Sequence, residues 1–297
     1  MKKALITGSN GFVGQVLRKE LENNGYYVCG VDLVPGDGTE HCDVLDCAQL
    51  EAVLSDCRPD VIFHLAGQAS VAKSWMIPQK TFEINVIAAI NLLEGVKKQC
   101  KTASVLLVGS ADIYEGGEER LRSPYAVSKK AQEDMAQLYV YAGLDIRMTR
   151  SYNHSGAGQK LGFIIPDFCH QIAQIERGER NVMNVGNLSS MRDFSHVKDV
   201  ATAYRLIIER GVSGEIYNVG SGETHCGQDI LDHLFTMTPA PIQVRQDAGL
   251  LRAADQSVFA CDNRKLVGLG WQPRYTFDDI LSDCLEYYRT TQTGEYE

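Results

Sequence analysis

Lys3-Ala4-Leu5-Ile6-Thr7, followed at once by Gly8-Ser9-Asn10-Gly11-Phe12-Val13-Gly14, is the stretch that decides the fold. Residues 3–7 read as a short buried strand, and Phe12, Val13, Val16, Leu17 and Leu21 then recur at helical spacing. Strand, glycine-rich turn and helix open a dinucleotide-cradling α/β unit. Glycines let the backbone turn tightly and approach a pyrophosphate, and the helix N-terminus faces the anion. The spacing is G-x-x-G-x-x-G rather than G-x-G-x-x-G, so the turn alone also fits a glycine turn that only packs. Context weakens that alternative. A second strand, Tyr27 to Val31, follows and ends in Asp32, about 20 positions beyond the glycines. There a carboxylate grips ribose hydroxyls and repels a 2′-phosphate, which favours NAD(H) and leaves NADP(H) as the alternative.

Outward from this unit, strands and helices alternate. Cys42-Asp43-Val44 precedes a helix over 47–56, and Asp43 is placed to meet an adenine. Asp60 to Ala66 is a third strand, ending in Leu65-Ala66-Gly67, where small residues permit close backbone approach. A long amphipathic helix over 79–100 contains Asn85, and Ala103 to Val108 is a fourth strand with Gly109-Ser110 at its carboxyl end. Doubly wound sheets place ligands at such ends. A helix over 125–142 and a strand over 144–149 continue the pattern, so the expected fold is α/β, a Rossmann-type doubly wound parallel sheet.

After residue 150 the texture changes to a polar loop, a helix over 164–177, a helix over 196–210 and a returning strand, Glu215 to Val219. The expected division is a dinucleotide-binding domain over 1–150, with 190–219 and about 256–263 returning to it. A smaller interleaved α/β substrate-binding lobe takes 151–189, 220–255 and 264–297.

Ser123-Pro124-Tyr125-Ala126-Val127-Ser128-Lys129 carries the chemistry. Ser123 is a helix cap and Pro124 suits a first helical position, which sets Tyr125 and Lys129 one turn apart on one face. A tyrosine with pKa near ~10 is a poor acid or base at neutral pH, and bringing it to about 7 takes ~4 kcal/mol of differential stabilisation. A neighbouring ammonium supplies part of that. Taken alone, the pair also fits an exposed helix whose Tyr and Lys merely snorkel.

A net charge of −9 without a basic stripe argues against a nucleic-acid partner. Nine scattered cysteines without a Cys-x-x-Cys pair fit neither a disulfide framework nor a zinc site, and no metal is expected. No stretch approaches the ~18 apolar residues of a membrane span, so a soluble cytoplasmic protein is expected.

With Thr-Gly-x-x-Gly-x-x-Gly, Asp32, Ser110 and Tyr125-x-x-x-Lys129 in order, the chain resembles the extended short-chain dehydrogenase/reductases. These are nucleotide-sugar epimerases, dehydratases and reductases. Among them it is similar to the GDP-6-deoxy-D-mannose reductases, which reduce a GDP-4-keto-6-deoxyhexose at C4. Ser70-Val71-x-x-Ser74-Trp75, Ser151-Tyr152-Asn153-His154-Ser155-Gly156-Ala157-Gly158-Gln159 and Arg192-Asp193-Phe194 carry that similarity. The resemblance implies that Tyr125 is the acid/base at the C4 oxygen, that Ser110 bonds the same oxygen, and that Lys129 holds the nicotinamide ribose and depresses the tyrosine's pKa. It implies cofactor contacts from Gly8, Asn10, Gly11, Phe12, Val13, Gly14, Asp32, Asp43 and Val44. Further contacts would come from Leu65, Ala66, Gly67, Asn85 and Tyr152. Ser70, Asp112, Asn153, Arg192, Arg252 and Asp255 would face the nucleotide-diphosphate hexose, with GDP as the expected nucleotide. A homodimer through the helices at 79–100 and 125–142 is implied as well.

Two departures bear on the reaction. Related dehydratases carry a glutamate where this chain has Asp112, one methylene shorter, which disfavours removal of a C5 proton. The connection Glu115 to Arg122 is also shorter than the loop relatives usually place over the sugar. Asp32 itself leaves a 4-epimerase or 4,6-dehydratase recycling bound NAD as the alternative, with a non-enzymatic dinucleotide sensor behind it. Asp32→Ala should relax the preference for NAD over NADP. Titrating both dinucleotides checks this, and an unchanged affinity ratio counts against a ribose role.

Overall fold

The computed structural model describes residues 1–115, 117–250 and 260–291. The first half runs β1 (Lys3–Thr7), α1 (Phe12–Asn23), β2 (Tyr27–Asp32), β3 (Thr39–His41), α2 (Cys47–Cys57), β4 (Val61–His64), α3 (Val71–Met76), α4 (Pro78–Phe82), α5 (Ala88–Gln99), β5 (Ser104–Ser110), a hairpin of β6 (Tyr114–Glu115) and β7 (Glu118–Glu119), α6 (Pro124–Tyr141) and β8 (Asp145–Ser151). The second runs β9 (Asn153–Ser155), α7 (Ile164–Glu176), β10 (Val182–Val185), β11 (Arg192–His196), α8 (Val197–Arg210), β12 (Ile216–Val219), β13 (Thr224–His225), α9 (Gly227–Thr236), β14 (Gln243–Gln246), α10 (Arg264–Val267) and α11 (Phe277–Thr290).

Seven strands pair in the order β12-β8-β5-β4-β1-β2-β3, all parallel. The order reverses between β1 and β4, which makes the crevice at their carboxyl ends the ligand position of a doubly wound sheet. The apolar run of β1 is buried on both faces, as a central parallel strand requires. Ala4 and Ile6 join Leu17 and Leu21 of α1 and Tyr204 and Ile207 of α8, whereas Leu5 points to the opposite core with Leu50, Leu92 and Leu93. A third core, with Phe168, Ile172, Ile230, Leu234 and Leu281, belongs to the smaller lobe of α7, α9 and α11.

Arg192–His196 pairs with β9 and β13 in a separate three-stranded sheet rather than with the main sheet. Leu266 and Trp271, expected in the lobe, pack into the α1/α8 core, where the Trp271 indole N–H donates to the Asp199 carbonyl at 3.0 Å. Burial of so large a ring outweighs the chain's course on either side. The cysteines bring a correction. Cys29 of β2 and Cys57 at the end of α2 are joined as a disulfide, because strand and helix end lie side by side with Cα atoms 6.6 Å apart.

The helix expected over 79–100 is one rod with a π-turn at Glu83–Ile87 between α4 and α5. The short connection before α6 folds as the β6–β7 hairpin, held from below by Arg150 at the end of β8. Its guanidinium forks onto Glu133 of α6 with two bonds of 2.8 Å, reaches Glu119 at 2.6 Å, and also bonds the Tyr114 hydroxyl. Glu133 is nearly as buried as Arg150, while 47% of the Glu119 side chain is exposed. Arg150→Met, which strands a buried carboxylate, should cost about 3–5 kcal/mol in denaturant titration. Glu119→Gln should cost about 1 kcal/mol or less. Equal losses would contradict this division of the network.

Candidate active site

The site grows from the start of α6. Ser123 Oγ accepts the Ala126 N–H at 3.0 Å and Pro124 takes the first helical position, so the helix begins one residue before Tyr125. Tyr125 and Lys129 then face inward and are both buried, as is Ser110 at the carboxyl end of β5. Ser110 and Tyr125 are neighbours, the serine hydroxyl acting on the phenol, and Ser110 Oγ accepts the Asp112 N–H at 3.1 Å. A strand end and a helix start thus bring two hydroxyls together.

The electrostatics differ from the expected lysine-lowered tyrosine. Burial pushes the Tyr125 phenol above its ordinary range and the Asp112 carboxylate adds to that, with only the Ser110 hydroxyl acting to lower it. Lys129 directs its protons elsewhere, to the Val108 carbonyl at 2.8 Å and Gln132 Oε1 at 3.0 Å. Burial lowers the ammonium to about 8. His64, hydrogen-bonded to Thr7 at 2.8 Å, is held neutral with a pKa of about 3, first by burial and then by the Lys129 charge. The site therefore keeps a protonated phenol beside a cation held in a dry environment.

The glycine turn fits a dinucleotide on its own geometry. Gly8 has φ +75°, and a Cβ there would lie 2.7 Å from the Ala66 nitrogen; at Gly14 it would lie 2.3 Å from the Gly8 carbonyl. No side chain caps the N-terminus of α1 and its first turn carries no acid, so its N–H groups remain available to an anion. Asp32 stands at the end of β2, where its carboxylate accepts the Asn10 N–H at 3.0 Å. Gly11, Phe12 and Val13 continue the turn into α1, and the Phe12 ring stacks on His154 with centroids 6.2 Å apart.

Asn85, Asp43, Val44 and Ser70 also shape the backbone around the site. Asn85, on the π-turn, accepts the Gln68 N–H at 2.8 Å and donates to the Gln68 carbonyl at 3.1 Å and to Ser128 at 2.9 Å. It thereby fixes the chain just after Leu65-Ala66-Gly67, and a Cβ on Gly67 would stand 3.2 Å from its amide oxygen. Asp43 turns its carboxylate to the Leu45 N–H at 2.9 Å, and the Val44 carbonyl accepts from Asn91 at 3.3 Å. Ser70 caps α3 through the Lys73 N–H at 3.2 Å.

On the lobe side, Tyr152 is buried, and its N–H donates to the Val219 carbonyl at 2.8 Å. Asn153 is exposed and donates to the Asp193 carbonyl at 3.4 Å, while Arg192 bonds the Met191 carbonyl at 2.7 Å. Asp112 is half-buried beside Tyr125. Arg252 and Asp255 lie outside the described residues. Sequence reading missed Arg150 and Glu133 beneath the site. Their signal was available: Glu133 lies four positions after Lys129 on α6, and Arg150 is a charge ending a buried strand.

Comparison with known proteins agrees with this geometry. The profile of the GDP-mannose 4,6 dehydratase family matches residues 5–284. GDP-6-deoxy-D-mannose reductase of Pseudomonas aeruginosa is 31% identical over 96% of this chain and 96% of its own. The structure of RMD from Pseudomonas aeruginosa complexed with NADPH superposes with a TM-score of 0.88 at 28% identity, covering 97% of this chain and 99% of that one. UDP-glucose 4-epimerase of Thermus thermophilus, in complex with NAD, gives 0.86 at 26% identity over 98% of this chain and 100% of its own.

Lys129 makes a prediction whose sign follows from its burial. Its folded pKa of about 8 lies below the unfolded 10.5, so below pH 8 the folded state bears the cost of a buried charge. That cost is on the order of 3 kcal/mol before the two hydrogen bonds offset part of it. Between pH 8 and 10.5 the unfolded chain alone holds the proton, and folding stability contributed by this group rises with pH. Lys129→Met should therefore be most favourable, relative to the parent, at pH 7 and lose that advantage by pH 10. Denaturant titrations at both values measure it; a difference independent of pH would contradict the buried cation.

Proposed function

The chain belongs to the GDP-mannose 4,6 dehydratase family, and we propose that within it the protein is a reductase acting at C4 of a nucleotide-activated hexose. It is an NAD(P)-dependent enzyme on nucleotide sugars, and its proposed reaction takes a GDP-4-keto-6-deoxyhexose to a GDP-6-deoxyhexose. The observation that carries this reading is the buried, neighbouring pair of Ser110 and Tyr125 with Asp112 two residues after the serine, where a dehydratase needs a longer carboxylate. Similarity over nearly the whole chain to a GDP-6-deoxy-D-mannose reductase supports the same choice.

The bound dinucleotide supplies the hydride. Tyr125, kept protonated by burial, gives its proton to the C4 oxygen as negative charge develops there, and is left as phenolate until solvent reprotonates it. Ser110 orients that oxygen with its hydroxyl. Lys129 offers a cation to the nicotinamide ribose and stabilises the transient phenolate. The turn from Gly8 to Gly14 holds the pyrophosphate at the N-terminus of α1, and Asp32 holds the adenosine ribose. Asn153 and Arg192 face the substrate diphosphate, for which a guanidinium fork is suited.

Asp32 favours NAD(H) by repelling a 2′-phosphate. That same residue sustains the second reading, a 4-epimerase retaining NAD, since the Thermus epimerase of similar structure was solved with NAD. We also propose a cytoplasmic homodimer. Phe82, Ile87, Leu138 and Tyr141 are exposed on α4, the π-turn and α6, and their cover by a second copy would remove that apolar area from water. No helix among the described residues is long and apolar enough to cross a membrane.

Loss of absorbance at 340 nm, about the region where reduced nicotinamide absorbs, tests the reaction when a GDP-4-keto-6-deoxyhexose is added with NADH or NADPH. Stoichiometric consumption is expected, with Tyr125→Phe slower by about 10²–10⁴-fold. Tightly retained NAD with no net consumption would turn the assignment to the epimerase, and full activity in Tyr125→Phe would reject the proposed acid.

A further inference from the structure

Asp193 has no role in the mechanism above, yet its carboxylate is buried and fully engaged. One oxygen accepts the N–H and the hydroxyl of Ser221, both at 2.8 Å. The other accepts the N–H of Gly222 at 2.8 Å and of Cys261 at 3.1 Å. Gly222 has φ +90°, a region glycine takes without strain, and the two successive N–H groups of Ser221 and Gly222 both point at the same carboxylate.

These donors come from separate passages of the chain. Asp193 lies on β11, Ser221 and Gly222 follow the end of β12, and Cys261 lies just before α10, where the chain rejoins the main-sheet core. The passages are in close contact: a Cβ on Gly220 would lie 2.6 Å from Cys261 Cβ and 3.1 Å from Tyr152 Cβ. The main-chain carbonyl of the same aspartate accepts from the Asn153 amide at 3.4 Å, and Arg192 is its immediate neighbour. One residue thus joins the end of the main sheet to both side chains assigned to the diphosphate.

We propose that Asp193 is a positioning residue for the nucleotide-sugar pocket, its carboxylate clasping Ser221, Gly222 and Cys261 so that Arg192 and Asn153 stand at fixed places for a substrate diphosphate. The inference rests on the reading of Arg192 and Asn153 given above. Its signature is selective: Ser221, Gly222 and Cys261, the groups the carboxylate clasps, are not among those assigned to the dinucleotide, so its disturbance should weaken the nucleoside diphosphate and spare the dinucleotide.

The experiment measures binding of GDP, UDP and dTDP, and separately of NADH, to the full-length protein and two variants. Asp193→Asn replaces one acceptor oxygen by an NH₂ group that must face N–H donors. It should weaken the preferred nucleoside diphosphate about 10-fold or more, with NADH within about 2-fold. Ser221→Ala removes one donor of four and should weaken it about 3-fold, again sparing NADH. Parallel loss of both ligands in Asp193→Asn, or unchanged diphosphate binding, overturns the proposal. Should that variant fail to fold, unchanged diphosphate affinity in Ser221→Ala overturns it equally. A parent protein that binds none of the three diphosphates defeats the reading of the pocket itself, a result distinct from a parent that binds and variants that bind alike.

Discussion

An ammonium group inside a protein must find acceptors or lose its proton, and the organisation of this molecule follows from how Lys129 meets that demand. Its acceptors are the Val108 carbonyl and Gln132 Oε1. The first exists because β5 extends to Ser110 in register with β8, and the second because α6 continues one further turn. Both depend on the sheet having the right order and on Ser123 and Pro124 starting the helix where they do. The same placement buries Tyr125 beside Ser110, so one electrostatic requirement and this pair of hydroxyls share a single set of supports.

Besides Lys129, the Asp112 carboxylate acts on this centre. His64 is neutral, and Arg150 is committed to Glu133 and Glu119 beneath the hairpin. A phenol in such surroundings keeps its proton until a substrate oxygen becomes basic enough to take it. The shortened connection is consistent with this arrangement. Instead of a long loop it forms a compact hairpin fastened through Arg150 to the helix that bears the tyrosine.

Much of this was legible in the chain because it is local. The glycine turn, the apolar strand before it, the cap at Ser123 and the Tyr125/Lys129 spacing each depend on neighbours within a few residues, and all stand where those patterns place them. What could not be read was tertiary. Asn85 looks like a polar residue on an amphipathic helix, and only the approach of Gln68 and Ser128 reveals it as a backbone clamp. Trp271 is flanked by polar and turn-forming residues that suggest a surface segment, yet the α8 core accommodates its ring. The burial of Tyr125 was not legible for a related reason, since burial depends on what packs around a side chain and spacing reports only which group is one turn away.

The π-turn at Glu83–Ile87 has a consequence of its own. A wider turn in an α-helical rod acts as a phase shift between the faces on either side of it. Here it lets Asn85 address the loop beyond β4 while Ala88, Leu92 and Val96 remain aligned with the core beneath the sheet. Removing one residue would restore a regular helix and rotate one face against the other by about 100°. The residue count of this segment is therefore part of its geometry.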